Sequence, residues 1–243
     1  MLFRSAFVRS RPPEIAPRFL PAPQPLPRIE DLGRDYAPYR PLFAAPPEAG
    51  HHLIAGWPVE GALIVTEPRG FLRPADALTL FDLARYQRGN VLEIGSAWGL
   101  SATILCRGVA ARRSGGRVIS VELDPLFQAA TCAAVKRAGL SRWHSLRKGD
   151  GTALMEQAIA RGETYGAIFI DHDHGPTASE AACRLLPELL APDGLALFHD
   201  FNDRLNTSGA YGIHAAVSAL LAADTRFAFY GMPGCCALIG WAR

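Results

Sequence analysis

A chain of 243 residues, 49% hydrophobic and 20% charged, can bury one large core and reads as one soluble domain with an extension. A formal charge of +2 without any block of lysine or arginine excludes a nucleic-acid surface and points to small-molecule partners. No apolar run approaches the roughly 20 residues that span a bilayer, and arginines interrupt the first twenty residues, so the reading is no membrane partner, no signal peptide and a cytoplasmic protein.

Residues 1–60 hold 12 of the 19 prolines and read as a proline-rich N-terminal arm. The arm keeps Phe19, Leu20, Tyr36, Tyr39, Phe43 and Trp57, more apolar content than a solvated linker carries, so it packs on the domain or joins a homodimer. His51 and His52 have no matching metal-ligand spacing and read as loop residues. The globular domain takes residues 61–243. It opens with a short strand at 62–68 and a helix over 74–88, with proline in its first turn and Leu78, Phe81, Leu83 and Ala84 as its apolar face.

Residues 90–101 (NVLEIGSAWGLS) organise the rest of the domain. Val91, Leu92 and Ile94 around Glu93 suit a strand buried on both faces, Gly95 and Gly99 permit a sharp turn, and helical spacing resumes at Leu100. A strand, a glycine turn and a helix start form a cradle at the carboxyl end of an α/β sheet. The third glycine of a dinucleotide fingerprint is missing, which disfavours a pyrophosphate. The next strand, RVISVEL, ends on Glu122, a carboxylate able to accept a ribose diol, so the ligand is a nucleoside without pyrophosphate. EIGSAWGLS followed by VELDP resembles the first two motifs of class I S-adenosylmethionine-dependent methyltransferases. It is most similar to the catechol and caffeoyl-CoA type of O-methyltransferase and related small bacterial enzymes.

Beyond Glu122, helices are expected at 125–138, 152–160, 178–190 and 211–223, alternating with strands at 143–147, 165–170 and 195–198 and closing with strands at 227–230 and 236–241. That alternation predicts an α/β fold with a mostly parallel sheet and helices on both faces; the short final connection makes the last pair antiparallel. The resemblance implies a Rossmann-like methyltransferase fold with seven strands in the order 3-2-1-4-5-7-6, the last antiparallel. The five cysteines, odd in number and without C-x-x-C spacing, read as buried free thiols, and the adjacent Cys235 and Cys236 as packing. His144 and His214 also read as packing residues.

Asp150, before Gly151 at a helix start, suits either the amino group of adenine or an N-cap. The densest chemistry is Asp171-His172-Asp173-His174 after the strand GAIFI, and His199-Asp200 with Asn202 and Asp203 after LALF. Adjacent strand ends bring these clusters together, and Asp171, Asp200 and Asn202 are oxygen donors suited to Mg²⁺ or another divalent cation. FIDH followed by FHD resembles the metal-binding segments of the catechol-type enzymes. The resemblance implies a metal at Asp171 and Asp200, catalysis by Asp171 with His174 at the position of the general base, and a cofactor site of Glu93, Gly95, Ser96, Gly99, Ser101, Glu122, Asp150, Gly151 and Asp171. Phe201 stands where those enzymes carry asparagine, leaving Asn202 or His199 as substitutes. The implied reaction carries a methyl group from S-adenosylmethionine to a small-molecule hydroxyl. Two other readings stay open: a metal-dependent oxidase or hydrolase built on the Asp/His cluster, and an S-adenosylmethionine-binding protein without turnover.

Overall fold

A computed structural model of the chain describes residues 70, 72, 74–112, 114–231 and 235–242. The arm, its two histidines and the strand expected at 62–68 lie outside the described residues. The first element is helix α1 (Pro74–Tyr86), followed by β1 (Val91–Ile94), α2 (Leu100–Ala111), β2 (Val118–Glu122), α3 (Pro125–Arg137) and β3 (His144–Lys148). Then come α4 (Gly151–Ala160), β4 (Tyr165–Ile170), α5 (Pro176–Leu189), β5 (Leu190–Phe198), α6 (Ile213–Ala223), β6 (Phe227–Gly231) and β7 (Ala237–Trp241). The seven strands form one sheet in the order β3-β2-β1-β4-β5-β7-β6. All neighbours run parallel except at β7, which is antiparallel to both β5 and β6.

The central strands explain why the sheet has two covered faces. Every residue of β1, β2 and β4 is buried, so alternate side chains feed two separate cores. Val91 packs with Phe81, Leu105 and Val109 from α1 and α2, while Leu92 and Ile94 pack with Met155, Leu186 and Val217 from α4, α5 and α6. From Asp76 to Ala84 the described side chains of α1 are buried all round: Ala77, Leu80, Phe81, Leu83 and Ala84 together with the polar Asp76, Thr79 and Asp82, so the helix is covered on more than the apolar face expected. It meets α2 closely at Gly108, where a Cβ would lie 2.6 Å from the Ala84 Cβ.

Two local features differ from expectation. The strand expected at 195–198 begins at Leu190, which pairs with Tyr165 before the register shifts and Leu195 faces Ala167. Asp193, at φ 65°, lies within β5 between these two pairings, where the register shifts. Cys132, expected to be buried, is exposed on α3, whereas the other four thiols are free and buried. Among the described residues no helix is long and apolar enough to cross a membrane.

Candidate active site

The carboxyl ends of β1, β2 and β4 converge on the glycine turn. Gly95, at φ 88°, donates its N–H to the Val121 carbonyl at 2.9 Å, and a Cβ here would collide with the backbone carbonyl of Asp171. Glycine is therefore required by both dihedral and space. Gly99, at φ 86°, caps α2, and a Cβ there would lie 2.8 Å from Thr131 Cα. Glu122 closes the turn from β2. Its Oε2 accepts the N–H groups of Ser96 and Ala97 at 3.0 and 2.8 Å, and its Oε1 those of Leu123 and Asp124 at 2.9 and 3.0 Å. The carboxylate expected to meet a ribose diol already receives four amides, so a diol would have to displace some of them to bind.

Glu93 and Ser101 lie beneath this turn rather than on it. Glu93 is fully buried and accepts from Ser120 Oγ, which in turn contacts His144 Nε2 at 2.9 Å. Burial pushes its carboxyl up to about 7 against the lowering effect of hydrogen bonds with Ser101 and Ser120. The Ser96 hydroxyl turns to Thr131 Oγ1 at 2.9 Å. Asp150 is exposed and caps α4 by accepting from the Ala153 N–H at 2.9 Å, the second of its two expected roles. A Cβ on Gly151 would lie 2.6 Å from Ile94 and 2.9 Å from the His172 ring, so α4 starts against the end of β4. His172 Nε2 there is buried and without a hydrogen-bond partner. An orphaned imidazole nitrogen, the β2 carboxylate and the glycine turn together offer polar groups that fit a nucleoside.

The ends of β4 and β5 meet, in agreement with the sequence pattern. His174 Nε2 lies 3.3 Å from Asp171 Oδ1 and 3.2 Å from Asp200 Oδ2, and His199 Nδ1 lies 3.1 Å from Asp171 Oδ1 and 3.4 Å from Asp200 Oδ1. One ligand atom from each of the four residues lies within 4.8 Å of the others. Neither imidazole nitrogen attains hydrogen-bond geometry. Two carboxylates and two nitrogens aimed at a common point without bonding one another are a donor set that fits a divalent cation. Asp200 adopts φ 52°, a left-handed conformation that aspartate tolerates and that follows directly on β5. Burial disfavours the charged His174, but the two carboxylates outweigh it and hold the imidazole up at about 9. Its ring stacks on Tyr211 with centroids 4.7 Å apart.

Phe201 stays away from this cluster. It is fully buried and packs against His214 and Phe229, so His199 brings the extra donor. In the sequence His199 stands only as a substitute, and nothing there points to what lies behind it. The other ring nitrogen, Nε2, lies 3.4 Å from Cys235 Sγ and 3.8 Å from Asp76 Oδ2. Asp76 comes from α1, and no spacing rule links it to a cysteine 159 positions later.

Residues 92–201 match a family model described as a methyltransferase domain. A catechol O-methyltransferase from Niastella koreensis is 32% identical over 91 residues, which cover 37% of this chain and 40% of that protein, so the match spans under half of its length. The O-methyltransferase from Bacillus cereus, solved in complex with SAH, superposes with a TM-score of 0.54 at 22% identity, over 69% of this chain and 78% of that one. The SAH-bound Podospora anserina methyltransferase PaMTH1 superposes with a TM-score of 0.57 at 19% identity, over 73% and 81%. At these identities the superpositions speak for the fold, and the sequence match speaks for its central motifs. The likeness to a methyltransferase domain is thus carried by residues 92–201, on a fold shared with solved methyltransferases.

Proposed function

We propose that the protein transfers the methyl group of S-adenosylmethionine to a hydroxyl of a small-molecule acceptor, assisted by a divalent cation at Asp171 and Asp200. The observation that carries this reading is the meeting of Asp171, His174, His199 and Asp200 at two strand ends, directly beside the Gly95 turn. Gly95, Ser96, Gly99, Glu122, Asp150, Gly151 and Asp171 line the cofactor side, with Glu93 and Ser101 holding the turn from below. Methyl transfer from a sulfonium needs alignment and a deprotonated acceptor more than covalent help. A cation held by Asp171 and Asp200 supplies Lewis-acid polarisation of the hydroxyl. His174 Nε2, facing both carboxylates and fixed by its stack on Tyr211, is the atom placed to take the hydroxyl proton, and it does so only in its neutral form.

Calorimetry tests the cofactor half. S-adenosylmethionine and S-adenosylhomocysteine are expected to bind and NAD not to bind, with Glu122→Ala weakening both nucleosides by roughly tenfold or more, the worth of a lost charge-assisted hydrogen bond. Binding of NAD alone would overturn the assignment. The pair of imidazoles beside two carboxylates supports a second reading, an iron-dependent oxidase, which metal analysis and spectroscopy of the purified protein separate from methyl transfer.

The acceptor side is assigned to the loops after Asp171 and Asp200 and to the proline-rich arm acting as a lid. Deleting residues 1–60 is expected to leave cofactor affinity unchanged and to lower turnover of the acceptor identified in a screen of catechols, phenols and sugar hydroxyls. Sedimentation of the truncated protein tells a lid from an arm that only joins two subunits. Unchanged turnover would rule out the lid.

A further inference from the structure

Behind the candidate active site lies a second group of metal-binding side chains. We propose that Asp76, His199, Cys235 and Cys236 form a closed site for Zn²⁺ or a cation of similar softness, which ties helix α1 to the end of the sheet. The four residues come from three places: the first turn of α1, the end of β5 and the segment entering β7. Each is buried, at 0, 4, 1 and 0% exposure respectively.

The contacts among these side chains, one of them through the second oxygen of Asp76, have the spacing of neighbouring ligands in a tetrahedral shell. Zinc bonds of about 2.3 Å to sulfur and 2.0–2.2 Å to nitrogen or oxygen put neighbouring ligand atoms roughly 3.3–3.8 Å apart. Here Cys235 Sγ lies 3.4 Å from His199 Nε2 and 3.5 Å from Asp76 Oδ2, Cys236 Sγ 3.2 Å from Asp76 Oδ1, and His199 Nε2 3.8 Å from Asp76 Oδ2. All four ligand atoms fall within 4.8 Å of one another. The Cys235 N–H donates to Asp76 Oδ1 at 2.9 Å, which orients the carboxylate as an outer-shell bond does in metal sites.

The chemistry separates this site from the one in front of it. Thiolate and imidazole donors select zinc-like cations, whereas the Asp171 and Asp200 carboxylates suit harder ones. The side chains of Asp171, His174 and Asp200 are 20–24% exposed, as an open site needs, while the rear cluster has no free face. Loading forms two metal–sulfur bonds and breaks two S–H bonds, releasing both thiol protons to solvent, with Asp76 bound as carboxylate and His199 as neutral imidazole. Ligation through Nε2 leaves the proton on Nδ1, 3.1 Å from Asp171 Oδ1, so with the rear site loaded His199 faces the front cluster as a hydrogen-bond donor and a front cation rests on Asp171, His174 and Asp200. The closed site thereby fixes the tautomer of the histidine that faces the open one, and it does not depend on the reaction proposed above.

Cobalt is the probe. The full-length protein loaded with Co²⁺ and freed of excess metal is expected to retain about one equivalent showing tetrahedral d–d bands and thiolate-to-cobalt charge transfer. Both features should survive Asp171→Asn with Asp200→Asn. Charge transfer should disappear when Cys235→Ser and Cys236→Ser are combined, and Asp76→Asn should lose the retained metal. Should the cysteine variants fail to fold by circular dichroism, the spectrum of the wild-type protein beside the Asp171 and Asp200 variant still decides. Cobalt held without charge transfer would place the metal at the front cluster alone. That result, or retention of no cobalt, would show the rear cluster to be a hydrogen-bonded one and overturn the proposal.

Discussion

Asp200→Asn is expected to lower turnover by roughly 10²–10⁴-fold, the range for losing a metal or general-base contribution, while S-adenosylmethionine binds with unchanged affinity. Asparagine tolerates the φ of 52° at this position, so the change removes charge with little backbone cost. The variant takes one carboxylate from the shared point and one of the two charges facing His174 Nε2. Asp171→Asn should lose as much turnover, because its carboxylate faces His174 Nε2 and His199 Nδ1. In the wild-type protein chelator should abolish activity and Mg²⁺ or Mn²⁺ restore it, whereas neither cation should restore the Asp200 variant. Full activity in chelator, with the Asp200 variant equally active, would remove the metal from the reaction and leave His174 as the principal proton acceptor.

The parts of this site that could be read from sequence are those that local physics dictates. A four-residue buried strand followed by Gly95 and Gly99 needs no partner to be recognised, and Glu122 at the end of the next strand stems from the same parallel geometry. The reversal of β7 was legible because a short connection cannot make a parallel crossover. The features that escaped depend on three-dimensional closure. Cys235 and Cys236 open an apolar run, which local pattern assigns to packing, and their meeting with Asp76 needs α1 laid across the sheet. Phe201 likewise faces the core because the chain turns at Asp200, so the extra donor comes from His199, two positions before Phe201. The four amides gathered by Glu122 required the folded turn as well.

A buried relay beneath the turn gives a pH signature of its own. Glu93 accepts from Ser120 Oγ, so His144 Nε2, 2.9 Å from the same oxygen, is the nitrogen that carries the proton in the neutral ring. Burial raises the Glu93 carboxyl from 4.5 to about 7 and lowers His144 from 6.5 to about 4. Between pH 4.5 and 7 the folded chain keeps a proton on Glu93 that the unfolded chain has lost, so rising pH costs stability, by roughly 3 kcal/mol over the window. Between pH 4 and 6.5 the unfolded chain protonates His144 first, so falling pH costs a similar amount. The two slopes oppose each other from pH 4.5 to 6.5 and leave the wild-type protein nearly flat with respect to this pair. Each single variant should expose the other slope in denaturant titrations. Relative to wild type, Glu93→Gln should gain stability as pH rises from 4.5 to 7. His144→Gln, which keeps an N–H for Ser120, should gain stability over wild type as pH falls from 6.5 to 4. Parallel stability curves for Glu93→Gln and wild type across that range would show that Glu93 is ionised throughout and that the turn rests on a charged carboxylate.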